Sequence, residues 1–142
     1  MPSWNTLPVG PQLRRLIAER LGWHMRKVWV GSGGIEYDYL VYNNDDHLIY
    51  QREITADDLA DEQTAEDQTW LEAMQHEDCP LWDQDLDEAL DLVYGLEYRI
   101  DESNGVFRAW VESPQYPGEA EAKPLALVRA WLTATEDEAR AK

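Results

Sequence analysis

Apolar residues along the first third of the chain follow first a helical and then an alternating pattern. Over 11–21 they recur at helical spacing, with Pro11 suited to the first turn and Gly22 following as a helix stop. Segment 23–30 is dense in aromatic and β-branched residues, which predicts a first strand. The glycine-rich residues 31–34 then form a flexible turn.

The next two alternating segments predict a β-hairpin. Residues 35–42 and 47–53 each alternate between apolar and polar positions, and an Asn-Asn-Asp-Asp run separates them. The segment that follows, 55–78, has few apolar positions, so its packing face is narrow. We interpret it as either an inserted acidic helix or a partly ordered loop.

A helix is predicted after the Cys79-Pro80 break. Asp83 or Asp85 caps it, and its apolar face runs to about Leu92. Three acidic residues at helical spacing, Asp83, Asp87 and Asp91, are predicted to line the neighbouring face.

The last third of the chain predicts a second hairpin and a closing helix. Segments 97–102 and 106–112 flank Asn104-Gly105, and this pair supplies the positive φ angles of a tight hairpin turn. Residues 114–118 are predicted to form a loop, and Pro124 to open the final helix. Hairpins with helices at both ends predict an α+β domain, with a mainly antiparallel sheet of about four to five strands packed with helices. We expect residues 1–142 to form one such domain.

Charge narrows the classes of function. The 142 residues carry a net charge of −17, which disfavours direct binding of the chain to nucleic acid or to an anionic membrane. Fifteen acidic residues and no Lys or Arg lie between Glu53 and Asp91. Something outside this block, or solvent and salt, must balance its charge.

No long apolar run, basic leader or cysteine framework is present. The apolar runs are far shorter than a membrane span, and Cys79 is the single cysteine. We therefore expect a cytoplasmic protein without internal disulfides.

Three stretches resemble a known family. They are LRRLIAERLGW at 13–23, the helix-and-hairpin unit at 82–110, and AKPLALVRAWL at 122–132. Together they resemble the phage ABA sandwich domain family, small α/β proteins of bacteriophages and prophages. The resemblance implies a sheet between helices, an α/β/α sandwich-like arrangement, and a viral origin. It implies no activity, because the family has no catalytic motif to carry over.

Candidate sites of catalysis and metal binding each have a simpler structural interpretation. Residues 83–87 begin like a calcium loop, but Glu88 and Tyr94 stand where glycine and a carboxylate are needed. The acidic motif at 57–61 matches a short motif of some magnesium-diphosphate enzymes, but those enzymes need a large all-helical cavity that this chain cannot build. Residues 76–79 lack the ligand spacing of zinc sites, and Cys79 would need a base such as His24 or His47. We therefore expect no enzyme, metal or cofactor.

The acidic block predicts a protein that imitates nucleic acid. With a phage origin, the expected function is a non-enzymatic inhibitor, an anti-CRISPR or other anti-defence protein, which binds the basic nucleic-acid-binding surface of a bacterial effector. Exposed Tyr or Trp would supply apolar anchors. The predicted partner-binding residues are Asp57, Asp58, Asp61, Glu62, Glu66, Asp67, Asp83, Asp87, Glu88 and Asp91.

Two other functions remain open at this point. One is an oligomeric small-molecule binding protein for a nucleotide signal, which would use the glycine turn 31–34 or the bases Arg14, Arg15, Arg26 and Lys27. The other is a phage accessory interaction domain with no inhibitory role. A homodimer is compatible with each of them. The bases have a simpler alternative role, which is to neutralise the acidic block.

Overall fold

The computed structural model describes residues 7–29, 37–112 and 117–141. Along the described chain the elements are α1 (Pro11–Leu21), β1 (His24–Trp29), β2 (Tyr37–Tyr42), β3 (Leu48–Ile54), α2 (Ala56–Leu59), α3 (Glu62–Met74), α4 (Leu86–Leu92), β4 (Tyr98–Ser103), β5 (Val106–Val111), β6 (Gly118–Ala120) and α5 (Lys123–Ala141). The predicted α+β class is confirmed. No helix among these residues combines the length and apolar character that a membrane span needs.

The prediction of one sheet with four to five strands is wrong. The described strands form two separate antiparallel sheets of three, in the orders β1-β2-β3 and β4-β5-β6. The alternating pattern locates strands, but it does not show which strands pair. Here every strand pairs with its neighbour in sequence, and helices fill the interval between β3 and β4.

The chain divides into two compact units. The first unit comprises Met1–Ile17 with Pro80–Lys142, and the second comprises Ala18–Cys79. The first unit is therefore built from both ends of the chain.

The second unit packs α3 on the β1-β2-β3 sheet. Its core cluster joins Tyr39 of β2, Ile54 of β3 and Ala65 of α3, with Met25 and Tyr37 partly buried against it. Segment 55–78, for which a helix and a partly ordered loop were both open, forms α2 and α3. The helix α3 buries Ala65, Thr69, Trp70, Ala73 and Met74. The acidic segment thus supplies one wall of this core.

The first unit packs α5 on the β4-β5-β6 sheet. Inward residues of β5 and β6 alternate with outward ones, as Ala109 and Val111 are buried whereas Arg108 is exposed. From α5, Leu127 and Leu132 are fully buried. The hairpin turn at Asn104-Gly105 has φ angles of 54° and 81°, which confirms the prediction for this turn.

The sequence pattern does not predict β6, and it places Gly118, the first residue of this strand, in a loop. This strand has only three residues, which pair with residues 107–109 of β5. Such a segment is too short to show an alternating pattern. The glycine turn 31–34 and the beginning of the predicted segment 35–42 lie outside the described residues, as do 113–116 of the predicted loop.

Candidate functional site

The predicted partner-binding carboxylates belong to both units. Six lie on α2, on α3 or in the turn between them, in the second unit: Asp57, Asp58, Asp61, Glu62, Glu66 and Asp67. The other four, Asp83, Asp87, Glu88 and Asp91, belong to the first unit. Whether a carboxylate is available to a partner depends on its burial and on the bases around it.

Two of the second-unit carboxylates cap helices. Asp58 accepts hydrogen bonds from the amide and hydroxyl of Thr55 at 2.9 and 3.0 Å, which completes a capping box at the start of α2. Asp61 is the N-cap of α3 and accepts hydrogen bonds from the amide and hydroxyl of Thr64. The hydrogen bonds from Thr55 lower the pKa of Asp58, and those from Thr64 lower the pKa of Asp61.

Arg52 of β3 holds the acidic helices against the sheet. Its guanidinium lies 3.2 Å from Asp58 and 3.4 Å from Glu72, and it also donates to the carbonyl of Ala65 and the hydroxyl of Thr69. Arg52 is the cross-strand partner of the buried Tyr39, so the sheet places it under α3. One base outside the acidic block thus neutralises two of its carboxylates.

Lys27 of β1 pairs with the first turns of α3. Its ammonium contacts Glu66 and lies 3.6 Å from Glu62. The hydrogen bond to Glu66 raises the pKa of Lys27 above its ordinary value. Lys27 thus neutralises part of the acidic block, which is the simpler of the two roles that the sequence leaves open for this base. The acidic block contains no Lys or Arg, but folding brings Lys27 and Arg52 next to its carboxylates.

The remaining carboxylates of this segment differ in environment. Asp57 is exposed. Asp67 is half-buried and accepts a hydrogen bond from Gln63 at 3.1 Å. Asp57 is thus the predicted residue here that remains most open to a partner.

Asp83 is fully buried, so its prediction as an exposed partner-binding residue is wrong. Both carboxylate oxygens of Asp83 accept hydrogen bonds from Nη1 of Arg14, at 3.1 and 3.2 Å. One of them also accepts a hydrogen bond from the amide of Gly10 at 2.7 Å. The helix α4 begins only at Leu86, so Asp83 precedes it and does not share a face with Asp87. Within the first unit, this buried ion pair anchors the N-terminal helix to the segment that begins at Pro80.

The acidic residues of α4 and its N-cap have no neutralising base among the described residues. Asp85 is the N-cap and accepts from the amide of Asp87 at 2.9 Å, which confirms one of the two predicted caps. Asp87 and Asp91 are exposed, and Glu88 is half-buried. Among the described residues, no Lys, Arg or His forms an ion pair with any of these four side chains. We call Asp85, Asp87, Glu88 and Asp91 the α4 acidic face.

Mutual repulsion is present within the α4 acidic face. Burial raises the pKa of Glu88, and the nearby charges of Asp91, Asp85 and Asp87 raise it further. A basic partner would relieve this repulsion, since a positive charge close to Glu88 favours its ionised form.

Tyr94 lies directly after α4 and is 90% exposed. Val93, the C-cap of α4, is buried, and Gly95 with φ of 81° ends the turn. Tyr98 at the start of β4 is 48% exposed. Tyr94 is not among the partner-binding residues that the sequence predicts. Its signal was present, because a residue between an inward-facing Val93 and a terminating Gly95 continues neither the apolar face nor the helix.

The other aromatic residues contribute mainly to packing. Trp82 and Trp131 are buried, whereas Trp110 is half-buried and has the guanidinium of Arg99 4.2 Å from its ring centre. Tyr39 is 1% exposed, and its hydroxyl is buried without a hydrogen-bond partner. On the opposite face of the same sheet, the ring of Tyr42 stacks on His24.

The candidate residues for metal binding and catalysis contact neighbouring side chains of the second unit. The thiol of Cys79 is buried and lies 3.9 Å from the sulfur of Met74. His76 lies 3.6 Å from the carboxylate of Asp78 and contacts the ring of Tyr50. Within the described part of the chain, no three His, Cys, Asp or Glu side chains are arranged to hold a metal ion.

The capping carboxylates predict a loss of stability in acid. Because the folded-state pKa values of Asp58 and Asp61 lie below their ordinary value of 3.8, these groups stabilise the fold above that pH. We expect this stabilisation to be lost as the pH falls from about 4 through the lowered pKa values. Urea denaturation between pH 7 and pH 2, followed by circular dichroism, measures it.

The matched control removes one cap. Thr55→Ala should lower stability by about 1 kcal/mol at pH 7 and by less at pH 2, because the interaction with Asp58 is already weakened there. An equal cost at both pH values would show that the Thr55–Asp58 hydrogen bonds do not depend on ionisation.

No family model, curated protein or solved structure matches the chain.

Proposed function

We propose that the protein is a non-enzymatic, phage-encoded acidic inhibitor, of the anti-CRISPR or another anti-defence type. It binds the basic nucleic-acid-binding surface of a bacterial effector and does not itself contact nucleic acid. The observation that carries the proposal is the α4 acidic face, where four carboxylates without a pairing base lie next to the exposed Tyr94. The resemblance to the phage ABA sandwich domain family supplies the viral origin.

Charge spacing supports imitation of a nucleic-acid backbone. One strand of B-form DNA carries a phosphate about every 3.4 Å along the axis. Asp87 and Asp91 are four residues apart, which is about 6 Å of helix rise, and Glu88 lies between them. The face therefore offers a short row of negative charges at a comparable density. A net charge of −17 would also steer the chain toward a basic channel.

Tyr94 would supply the apolar part of the contact. Carboxylates at an interface contribute specificity and association rate more than affinity. Affinity is usually concentrated in a few aromatic or Arg side chains that become buried in the complex. A 90% exposed tyrosine at the end of the acidic helix has the position and the chemistry of such an anchor. Its hydroxyl can also donate a hydrogen bond to the partner.

Geometry favours this function over the small-molecule alternative. Of the bases that would bind an anionic nucleotide, Arg14 is paired with Asp83 and Lys27 with Glu62 and Glu66. A depression of about 380 Å³ on the β4-β5-β6 sheet contains Arg108 and Trp110, but Asp101 and Glu102 also line it. Arg108 is already paired with Glu119 at 2.9 Å.

Neutralising the α4 acidic face should weaken partner binding at least tenfold. In Asp87→Asn/Asp91→Asn, two exposed charges are removed while the capping residue Asp85 is kept. The control Glu53→Gln/Glu77→Gln removes the same charge from exposed positions of the second unit that are not among the predicted partner-binding residues, and it should bind like the wild type. Immobilised proteins are incubated with bacterial lysate and washed at rising salt, and the retained partner is identified by mass and quantified.

The captured partner decides between an inhibitor and an accessory domain. The wild-type protein should displace labelled duplex DNA or RNA from that partner, and the α4 variant should not. Equal losses in both variants would reject recognition by the α4 acidic face in favour of a general charge effect. A partner that keeps its nucleic acid when the protein binds would overturn the inhibitory role.

A further inference from the structure

Among the described strands, β4 forms one edge of its sheet. The sheet order β4-β5-β6 places it at the end, and all its residues except Ile100 are exposed. Exposed edges present unpaired backbone groups on which a further strand can form. The sequence analysis identified the strand itself but assigned nothing to its outer edge.

Backbone alternation fixes which residues face outward. The amide of Glu112 donates to the carbonyl of Glu97 at 2.8 Å, beside the pair Tyr98 and Val111. In an antiparallel pair, hydrogen-bonded residues alternate with residues whose backbone groups point away. The odd-numbered residues of β4 therefore bond to β5. The amides and carbonyls of Tyr98, Ile100 and Glu102 point toward the open edge.

We propose that β4 pairs antiparallel with β4 of a second copy of this chain, about a twofold axis at Ile100, to join two three-stranded sheets into one of six strands. In this register Ile100 lies opposite Ile100 of the second copy. Within one chain, Nε of Arg99 already lies 3.5 Å from the carboxylate of Asp101, and both side chains are exposed. In the paired strands Arg99 would also lie opposite Asp101 of the second copy, and Asp101 opposite its Arg99, so that each charge gains a second partner. The outward backbone groups of Tyr98, Ile100 and Glu102 then bond to those of Glu102, Ile100 and Tyr98. The strand is complementary to itself in both charge and backbone polarity.

Neighbouring registers are disfavoured by the same charges. Pairing of outward backbone groups permits shifts only in steps that keep even-numbered residues opposite one another. A shift in one direction places Arg99 opposite Arg99 of the second copy, and a shift in the other places Asp101 opposite Asp101. Like charges directly opposite destabilise a pair of strands. The base at Arg99 and the acid at Asp101, on either side of Ile100, thus select a single register. An edge strand whose charges served only to prevent pairing would need charges of one sign only.

The pairing would also complete a row of alternating charges across the sheet. Glu119 of β6, Arg108 of β5 and Asp101 of β4 are successive cross-strand partners on the face away from α5. Arg108 and Glu119 already form an ion pair. Arg99 of the second copy would continue the row beyond Asp101, with Trp110 of that copy behind it, as Trp110 lies behind Arg99 in this chain. The formal charges of these four side chains, Glu119, Arg108, Asp101 and Arg99, sum to zero, although the whole chain carries −17.

Net charge sets the conditions of the test. Two copies repel each other at low salt, but the Debye length is about 8 Å at 0.15 M salt, so distant charges are screened there. Opposite charges in direct contact are screened less. The interface is small, which predicts a weak dimer whose population rises with protein concentration.

Charge swaps test both the interface and its register. In Asp101→Arg, Arg99 faces an arginine of the second copy, and in Arg99→Asp, Asp101 faces an aspartate. By sedimentation equilibrium at 0.15 M salt, each single variant should dimerise at least tenfold more weakly than the wild type. The double variant Arg99→Asp/Asp101→Arg should recover dimerisation. An equimolar mixture of the two single variants should form heterodimers, since each strand then faces its complement. That recovery also shows that both single variants are folded.

Other outcomes would overturn the proposal. A wild type that stays monomeric at every accessible concentration rejects self-pairing. Single variants that dimerise as well as the wild type would place any dimer contact elsewhere. Hydrogen exchange supplies a direct readout, because the amides of Tyr98, Ile100 and Glu102 should become protected as concentration rises. Protection of these amides only when another bacterial protein is added would assign the edge to that protein instead.

Discussion

Replacing Asp83 with alanine is expected to lower the free energy of unfolding by about 3–5 kcal/mol. The carboxylate is fully buried, and it accepts both from Arg14 and from the amide of Gly10. Without it, the buried guanidinium of Arg14 loses both hydrogen bonds to this carboxylate, and the amide of Gly10 loses its acceptor. Urea denaturation followed by tryptophan fluorescence measures the loss.

Two further variants separate the causes of this loss. Asp87→Ala removes a carboxylate from the exposed face of α4 and should change stability by less than about 0.5 kcal/mol. Arg14→Met/Asp83→Leu removes the ion pair and keeps apolar volume, so it should recover most of the stability that Asp83→Ala loses. A similar small effect for Asp83→Ala and Asp87→Ala would contradict the assignment of Asp83 as a structural anchor.

Replacing Gly118 with alanine is expected to destabilise the protein by about 3 kcal/mol. A Cβ at this position of β6 would collide with the carbonyl oxygen of Ala126 and the amide nitrogen of Ala130, both in α5. These atoms belong to helix backbone and cannot rotate away, so either the strand or the helix must shift. Thermal and urea denaturation, with circular dichroism as the signal, measure the effect.

Gly105→Ala is the matched control for this substitution. Gly105 has a φ of 81°, and a Cβ at this residue would meet no atom within 4 Å beyond its chain neighbours. Alanine there costs only backbone strain, about 1–2 kcal/mol. Gly118 is required for a close approach, and Gly105 for a turn. If both variants lost the same stability, or Gly118→Ala lost less, the close packing of β6 on α5 would not limit the fold.

Pairing changes the meaning of the acidic block. From sequence, fifteen acidic residues between Glu53 and Asp91 form one uncompensated segment. In the fold, Arg52 pairs with Asp58 and Glu72, Lys27 with Glu62 and Glu66, and Arg14 with Asp83. Among the described residues, acids without an ion pair remain at scattered exposed positions of the second unit, such as Asp57 and Glu77, and together on the α4 acidic face. The proposed function therefore depends on the α4 acidic face, because its carboxylates belong to one helix that ends just before the exposed Tyr94.

Local patterns predicted most of the elements correctly. The helix at Pro11–Leu21, the hairpin around Asn104-Gly105 and the cap at Asp85 each depend on residues close in sequence. Spacing, turn chemistry and capping act over a few residues, so a single sequence contains them. The short strand β6 lacked enough residues for such a pattern.

The sequence by itself determined the α+β class, most helix and strand positions and the large negative charge. Only the tertiary structure decided that the strands form two sheets, that Asp83 is buried and that Arg52 and Lys27 pair with the acidic helices. The physical reason is the separation along the chain over which each kind of interaction acts. Periodicity and capping are set by neighbours along the chain, whereas strand pairing, burial and charge compensation are set by residues that only folding brings together.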